Sequence, residues 1–271
     1  LASHAKSRPA AGMHAAIVET AKELVSKALI GCQNVSIACG VTGSAGIALS
    51  RRLGLPFVQE VVATTATVKR FAPSTDVFIE LGGEDAKITF FDENPEQRMN
   101  GTCAGGTGSF IDQMADLLLT DAQGLDGLAK GATTIYPIAS RCGVFAKTDV
   151  QPLLNEGASR EDIAASVFQA VVNQTIGGLA CGHPISGVVA FLGGPLAYLP
   201  QLRQRFIETL KLPVGSIADI PHPHLAPAMG AALSAMENDA LEIAELSERL
   251  ARLAHFGDAE VPRLARLFAS V

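Results

Sequence analysis

The stretch DVFIELGGEDAKITFF (residues 76–91) decides the interpretation of the fold. Two short apolar runs, DVFIEL and DAKITFF, predict strands, and Gly82, Gly83 and Glu84 between them predict a tight hairpin turn. Glycine lets such a turn approach a phosphate closely, and its exposed N–H groups can bind phosphate oxygens. A carboxylate beside the turn can hold Mg²⁺ directly or through water. An ordinary hairpin with solvated acids explains the same pattern, so the turn alone leaves both interpretations open.

A second Gly-Gly turn follows the predicted buried strand VVAFL (188–192). In FLGGPLAYL (191–199), Gly193 and Gly194 stand between this strand and a helix, where an adenine ring or a ribose could lie against the backbone. A tight strand-to-helix turn without a ligand explains this segment equally well. Together with the small-residue helix AMGAALSAM (228–236), the two turns are more specific for a nucleotide-handling α/β chain than any one of them.

Helices and strands alternate around these turns. VSIACGV (35–41) predicts a buried strand, ENPEQ (93–97) predicts a loop, and Ser159-x-x-Asp162 predicts a capped helix start. Such alternation is typical of parallel sheets. The spacing of apolar residues predicts helices over 14–30, 44–54, 63–71, 106–119 and 125–130, from 142, and over 159–180, 199–210 and 228–236.

The predicted organisation has three parts. Lobe I covers residues 1–74, and lobe II covers 75–236, with its last helix packing back towards lobe I. A helical linker covers 237–271, where Leu241, Leu246, Leu250 and Leu253 form an apolar stripe on a charged segment. This stripe is expected to lead to a following domain or to aid dimer contacts, and its charges are expected to be solvated.

The composition excludes several functions. The formal net charge is −6 and the Lys and Arg residues form no basic patch, so no nucleic-acid partner is expected. No stretch approaches about 18 uninterrupted apolar residues, so no membrane span is expected. The start LASHAKSRPAAG lacks an apolar signal-peptide core, which predicts a cytoplasmic protein. Because the chain opens at Leu1 without an initiator methionine, it is expected to be a fragment or to have lost its beginning.

Two of the five cysteines stand at predicted helix starts. Cys103 lies in NGTCAGGTGSFIDQM and Cys142 in ASRCGVFAKTDVQ, each after a loop and ahead of a helix. A helix N-terminus carries about half a positive elementary charge and favours the thiolate, which is the form that binds metal. Two such cysteines make half of a four-cysteine iron–sulfur site, and a two-fold dimer could supply the other half.

The alternative is that the cysteines are buried and inert, because free cysteine is among the most buried residue types. Cys32, Cys39 and Cys181 are assigned to this alternative, and a Cys103–Cys142 disulfide formed on oxidation is a further possibility. An odd number of cysteines without a secretion signal argues against a disulfide scaffold. The sequence contains no CxxC motif, so a zinc site is not expected. His222 and His224 in the loop PHPH are expected to be solvated.

Four segments together resemble the activator ATPases of 2-hydroxyacyl-CoA dehydratases and benzoyl-CoA reductases. They are ELGGEDAKITFF, RMNGTCAGGTGSFIDQM, IYPIASRCGVFAKTDVQPLL and FLGGPL, and the likeness runs from about Ser36 to Met236, closest to the large multidomain members. The resemblance implies the two-lobe α/β fold of actin, hexokinase and the heat-shock chaperone ATPases, which is ribonuclease H-like. It implies one [4Fe–4S] cluster bridging a homodimer, held by Cys103 and Cys142 of each subunit.

The resemblance also implies a function. ATP hydrolysis would drive a low-potential electron from ferredoxin or flavodoxin to an acyl-CoA dehydratase or reductase component. Gly82 and Gly83 would lie at the phosphates of ATP or ADP, Glu80 would help to place Mg²⁺, and Glu84 or Asp85 would orient the attacking water. The residues expected to approach the nucleotide from the second lobe are Gly105, Gly106, Thr107 and Gly108, and those expected to border the adenosine are Gly193 and Gly194.

Two features depart from the family pattern. The strand–turn–strand with an Asp and a first Gly-rich phosphate loop is not found at the start, so lobe I is expected to be incomplete. Smaller activators have Asp where this chain has Glu80, which is one methylene longer. Two rival functions stay open: a small-molecule kinase of the same superfamily with inert cysteines, for which only Asp112 and Asp149 offer a base, and a non-catalytic scaffold or fragment.

Overall fold

The computed structural model describes residues 19–21, 23, 27, 36–44, 46–101, 105–140, 142–237 and 240–254. Most of the helix predicted over 14–30, together with Cys32 and Cys103, lies outside the described residues. The chain divides into two compact units, one of Leu1–Ala63 with Gly230–Val271 and one of Thr64–Met229. The lobe limits at residues 74 and 236 stay predictions, and these two units are divided at different positions.

The described helices are α1 (Gly46–Leu53), α2 (Glu60–Phe71), α3 (Gly108–Leu117), α4 (Ala122–Ala129), α5 (Gly143–Asn155), α6 (Arg160–Thr175), α7 (Gly194–Tyr198), α8 (Pro200–Leu210), α9 (Ala226–Ala235) and α10 (Ile243–Ala254). The described strands are β1 (Ser36–Ile37), β2 (Val77–Leu81), β3 (Ala86–Phe90), β4 (Glu96–Met99), β5 (Val189–Leu192), β6 (Ile217–Ala218) and β7 (Leu241–Glu242). A π-helical turn, Ile176–Ala180, extends α6, and a 3₁₀ turn, Pro223–Leu225, precedes α9.

The larger unit is built on a five-stranded sheet of order β4-β3-β2-β5-β6. β2 pairs antiparallel with β3 and parallel with β5, and all residues of these three strands are buried. Continuous apolar runs suit strands covered on both faces, which is why DVFIEL, DAKITFF and VVAFL could be predicted. The hairpin between β2 and β3 is confirmed.

The predicted loop over 93–97 is wrong at its end, because Glu96 and Gln97 belong to strand β4. This strand has the sequence EQRM, without the alternation of apolar and polar residues that marks a half-buried strand. Its backbone pairs antiparallel with β3, and it lies at the sheet edge, where charged side chains are tolerated. The Arg98 side chain pairs with Glu96 and donates to the carbonyls of Leu179 and Ala180, which fixes the edge to the π-helical turn.

Helix α6 is the central helix of this unit. Its start is as predicted, since the Ser159 hydroxyl accepts from the Asp162 N–H at 3.1 Å. The span Arg160–Ala180 is long and apolar enough to cross a membrane by length and composition alone, but 67% of its most apolar 18 residues are buried inside the protein, as in the core helix of a soluble protein. It packs with α3, α4 and α8 over one face of the sheet. Val68 of α2 and Ala72, the residue after that helix, cover the other face.

The smaller unit pairs β1 with β7 and packs α10 on α1 through Leu53, Leu246, Leu250 and Leu253. The predicted strand over 35–41 is wrong in extent, because its described part pairs at Ser36–Ile37 and then only at Val41, which bridges Phe57. The prediction that Leu241 belongs to a helical apolar stripe is also wrong. It lies in β7, and the three leucines that follow are core residues of this unit.

Candidate nucleotide and iron–sulfur sites

The turn between β2 and β3 is fixed to the start of α3. The Gly82 N–H donates to the Asp85 carbonyl at 2.7 Å and closes the hairpin. The N–H groups of Gly108 and Ser109 donate to the carbonyls of Gly82 (2.9 Å) and Gly83 (2.7 Å), so two donors that lack partners within the helix are satisfied by the turn. A Cβ on Gly108 would lie 3.2 Å from the Gly82 oxygen, so the close approach depends on glycine.

Asn100 holds the same hairpin from its other side, and the sequence did not single it out. Its Oδ1 accepts from the Ala86 N–H at 2.8 Å, and its Nδ2 donates to the Glu84 carbonyl at 3.2 Å. Its own N–H donates to the Ala86 carbonyl at 3.0 Å. Asn100 and Gly108 stand on either side of Cys103 in the chain, so both flanks of the Cys103 motif are hydrogen-bonded to one turn.

The carboxylates of Glu80 and Asp85 meet at a buried lysine. Glu80 lies in β2 and is 5% exposed, and Lys87 stands directly opposite it on β3. The Lys87 Nζ lies 3.0 Å from Asp85 Oδ2 and 3.9 Å from Glu80 Oε1. Glu84 is exposed on the turn. Lys87 was not predicted as a site residue, although a charge within the apolar run AKITF was the available signal.

The two Gly-Gly turns lie side by side. Gly193 follows β5 with a φ of +87°, and a Cβ there would lie 2.0 Å from the Leu81 carbonyl oxygen at the end of β2. β2 and β5 are parallel neighbours, so their carboxyl ends share one sheet edge. In open α/β sheets, ligands bind outside the carboxyl ends of the strands. A Cβ on Gly194 would meet nothing within 4 Å, so its backbone borders open space.

The segment 105–108, which is predicted to approach the nucleotide from the second lobe, is less exposed than the turn at Gly83. Gly105, Gly106 and Thr107 are buried, and Gly106 has a φ of +81° with Gln174 at 3.0 Å from where its Cβ would be. The chain ahead of α3 therefore packs on the end of α6, and the Gly108 N–H donates to the hairpin.

The histidines beside the second turn differ from the expectation. His224 is half-buried, and its ring lies 4.9 Å from that of Tyr198 at the end of α7, so its predicted solvation is wrong. His222 is exposed, as predicted, in a left-handed conformation with φ +49°. The Pro223 carbonyl between them accepts from the Gly193 N–H at 3.1 Å, which explains their place beside the turn.

Cys142 is the N-cap residue of α5, so the predicted helix start is confirmed. Its backbone is extended, its side chain is half-buried and makes no capping bond, and its carbonyl accepts from the Ala146 N–H at 2.9 Å. The next two side chains along the helix, Val144 and Phe145, are 69% and 65% exposed. A thiol at a helix start beside exposed apolar side chains suits a ligand shared with a second copy.

The two other described cysteines, Cys39 and Cys181, differ in their exposure to solvent. Burial raises the pKa of the Cys39 thiol, in keeping with an inert, partly buried residue. Cys181 is exposed at the end of the π-helical turn, so its predicted burial is wrong. Among the residues that the structure describes, no three His, Cys, Asp or Glu side chains are grouped to hold a metal ion. The predicted cluster draws on Cys103 and a second copy, so Cys142 is its one described ligand.

Asp149 and Asp112, the two acids that could serve as the base of a kinase, lie on α5 and α3. Asp149 Oδ2 accepts from the Ala139 N–H at 2.7 Å and so fixes the loop before α5. Asp112 is exposed on α3, where partial desolvation together with Asp116 and Asp121 raises the pKa of its carboxyl group.

Two Gly-rich turns at the carboxyl ends of adjacent parallel strands, with acids in the first, place the protein in the class of actin/hexokinase-like α/β ATPases. Residues 4–235 match the BadF/BadG/BcrA/BcrD ATPase family, and the chain belongs to that family.

Solved structures and curated relatives agree with this assignment. Component A of the Acidaminococcus fermentans (R)-2-hydroxyglutaryl-CoA dehydratase superposes with a TM-score of 0.65 at 29% identity, covering 73% of this chain and 75% of that one. The activator of the Clostridium difficile 2-hydroxyisocaproyl-CoA dehydratase, with bound ADPNP, gives 0.61 at 28%, covering 73% and 72%. In sequence, the activator of lactoyl-CoA dehydratase from Anaerotignum propionicum is 32% identical over 66% of this chain and 69% of its own length.

Proposed function

We propose that this protein is an ATP-driven activator that delivers a low-potential electron to a 2-hydroxyacyl-CoA dehydratase or a related acyl-CoA reductase. One observation carries the proposal: the hairpin between β2 and β3, which contains Gly82 and Gly83, is hydrogen-bonded to both flanks of the Cys103 motif, through Asn100 and through the start of α3. This joins a nucleotide-type turn to a predicted cluster ligand. The named relatives that are activators of such dehydratases support the choice of partner.

At the nucleotide end, Gly82 and Gly83 lie at the phosphates, and Glu80 helps to place Mg²⁺. Asp85 or Glu84 orients the attacking water, and Gly193 with Gly194 borders the adenosine. The remaining residues proposed to approach the nucleotide are Gly105, Gly106, Thr107 and Gly108. The adjacency of the two turns at one sheet edge supports this assignment, because one nucleotide can span both.

At the cluster end, Cys103 and Cys142 from each of two subunits hold one [4Fe–4S] cluster, which supplies one-electron transfer when bound. The position of Cys142 at the start of α5 supports this role, since first-turn N–H groups favour the thiolate. The electron donor is a ferredoxin or flavodoxin, and the protein works in the cytoplasm without a nucleic-acid or membrane partner.

The test is anaerobic reconstitution followed by iron and acid-labile sulfide analysis and a visible spectrum. We expect about four Fe and four sulfides per dimer in the wild type. Both should fall to near zero in Cys103→Ala and in Cys142→Ala. Cys181→Ala is the matched control and should keep the cluster, because this exposed cysteine is outside the predicted site. Absence of iron from a folded, reconstituted wild type, or equal loss in all three variants, would contradict the redox role.

A further inference from the structure

We infer that Lys87 is a positioning residue for ATP hydrolysis, which holds the Asp85 carboxylate over the Gly82–Gly83 turn. The inference rests on the proposed function, in which Asp85 orients the attacking water. Lys87 had no role predicted from its sequence pattern, and it acts through the Asp85 side chain rather than on the nucleotide.

The register of the hairpin brings the three charged groups together. Lys87 stands directly opposite Glu80, so the two side chains share a face of the sheet. Asp85 lies two residues before Lys87, which places both on one face as the strand begins. The Lys87 Nζ is 3.0 Å from Asp85 Oδ2 but 3.9 Å from Glu80 Oε1. The ammonium therefore lies closer to the acid of the turn than to its direct cross-strand neighbour.

Burial makes this contact a fixed one. The Lys87 side chain is 5% exposed, as against 42% for Asp85. A buried ammonium is costly unless it is paired, so Lys87 cannot move out to solvent without losing its ion pairs. Asp85 is the half-exposed member, and the buried charge restrains its carboxylate from beneath.

The second oxygen of Asp85 faces the turn. A Cβ on Gly82 would lie 2.6 Å from Asp85 Oδ1, so this oxygen lies over the glycine backbone. Lys87 thus holds Oδ2 and leaves Oδ1 beside the turn that is proposed to bind the phosphates. A water that donates a hydrogen bond to Oδ1 would be oriented there without direct contact from Lys87.

The experiment is a double-mutant cycle on the ATPase rate of the full chain, with Lys87→Met, Asp85→Asn and the double variant. Misplacement of a catalytic group by about 1 Å can cost about 100-fold in rate, so we expect Lys87→Met to lower kcat by about 10- to 100-fold. KM for MgATP should stay within about threefold, because the phosphate contacts remain. The double variant should lose no more than the worse single variant, since Lys87 acts through Asp85.

Lys87→Arg keeps a buried positive charge, and its kcat should lie between those of the wild type and Lys87→Met. If Lys87→Met does not fold, the same cycle is run with Lys87→Arg. Binding of MgADPNP by calorimetry gives a readout apart from activity, and the affinities of Lys87→Arg and the wild type should agree within about threefold.

A wild-type kcat in Lys87→Met, or losses that multiply in the double variant, would overturn the inference alone. A wild-type kcat in Asp85→Asn would instead remove the proposed role of Asp85, and the inference would fall with it. Failure of the wild type to bind MgADPNP would contradict the proposed function at its nucleotide end.

Discussion

Gly193 lies at the sheet edge where the nucleotide is proposed to bind, and its backbone conformation is restricted to glycine. Its φ of +87° and ψ of 166° fall in a region that is essentially restricted to glycine, and a Cβ would lie 2.0 Å from the Leu81 carbonyl oxygen. We expect Gly193→Ala to lower the free energy of unfolding by more than about 3 kcal/mol, because conformational strain and a backbone clash add. Urea unfolding of the full chain measures this.

The control is Gly215→Ala, which has the same φ of +87° but open space around its Cβ. It should cost only about 1–2 kcal/mol from conformational strain. Equal losses in the two variants would show that the close packing of Gly193 on β2 contributes nothing to stability.

A second prediction for a single residue is that Asp162 makes the stability of the protein depend on pH. The N–H groups of Thr133 and Thr134 donate to its carboxylate, at 2.7 and 2.8 Å, and these backbone bonds lower the pKa of Asp162 below its usual 3.8. A lowered folded-state pKa gives stability that is present above the unfolded value and is lost as pH falls through the folded value. The stability gap between the wild type and Asp162→Asn should therefore be largest near neutral pH.

Thermal unfolding from pH 7 down to about pH 3 checks this prediction. The gap should shrink as the pH falls below 3.8, because the carboxyl group of the unfolded wild-type chain is then protonated while the folded one is still ionised. Glu93→Gln, at an exposed acid before β4, is the control and should change stability little at any pH. A gap for Asp162→Asn that is constant with pH would contradict the assignment.

At the scale of elements, the hairpin, α3 and the strand leading to Asn100 form one hydrogen-bonded arrangement. We expect Asn100→Ala to cost about 1–3 kcal/mol, because it leaves the buried Ala86 N–H without its side-chain acceptor. Asn100→Asp keeps that acceptor and should cost less. Hydrogen exchange of the Gly108 and Ser109 amides should quicken in Asn100→Ala if the hairpin holds both flanks together. Exchange at the wild-type rate would contradict a shared restraint.

The elements that could be predicted from the sequence are those with local signals. The apolar runs of β2 and β5, the Ser159 cap and the helix start at Cys142 depend on residues close in the chain. β4 could not be predicted, because an edge strand with the sequence EQRM is specified by its pairing with β3 rather than by its own pattern. The roles of Asn100 and Lys87 could not be predicted for the same reason, since they depend on partners across a turn or a strand.

At the scale of the whole molecule, the predicted cluster needs two copies of the chain. Cys142 is followed by Val144 and Phe145, which are exposed on the first turn of α5. Exposed apolar side chains beside a shared ligand are expected to be covered when a second copy binds. We therefore predict that loading of the cluster makes the protein a dimer, and that this dimer depends on these two side chains.

The measurement is sedimentation velocity under anaerobic conditions, before and after reconstitution, on the wild type and on Val144→Ser/Phe145→Ser. The reconstituted wild type should sediment as a dimer and revert to a monomer when the cluster is removed by a chelator under oxidation, since each copy is predicted to supply half of the ligands. The double variant should need at least about tenfold more protein to dimerise, because burial of two apolar side chains contributes more than about 1.4 kcal/mol. Val214→Ser, which changes a fully exposed valine elsewhere, is the matched control and should dimerise like the wild type. A loaded, monomeric wild type would require all ligands from one chain, and that result would contradict a cluster shared between two subunits.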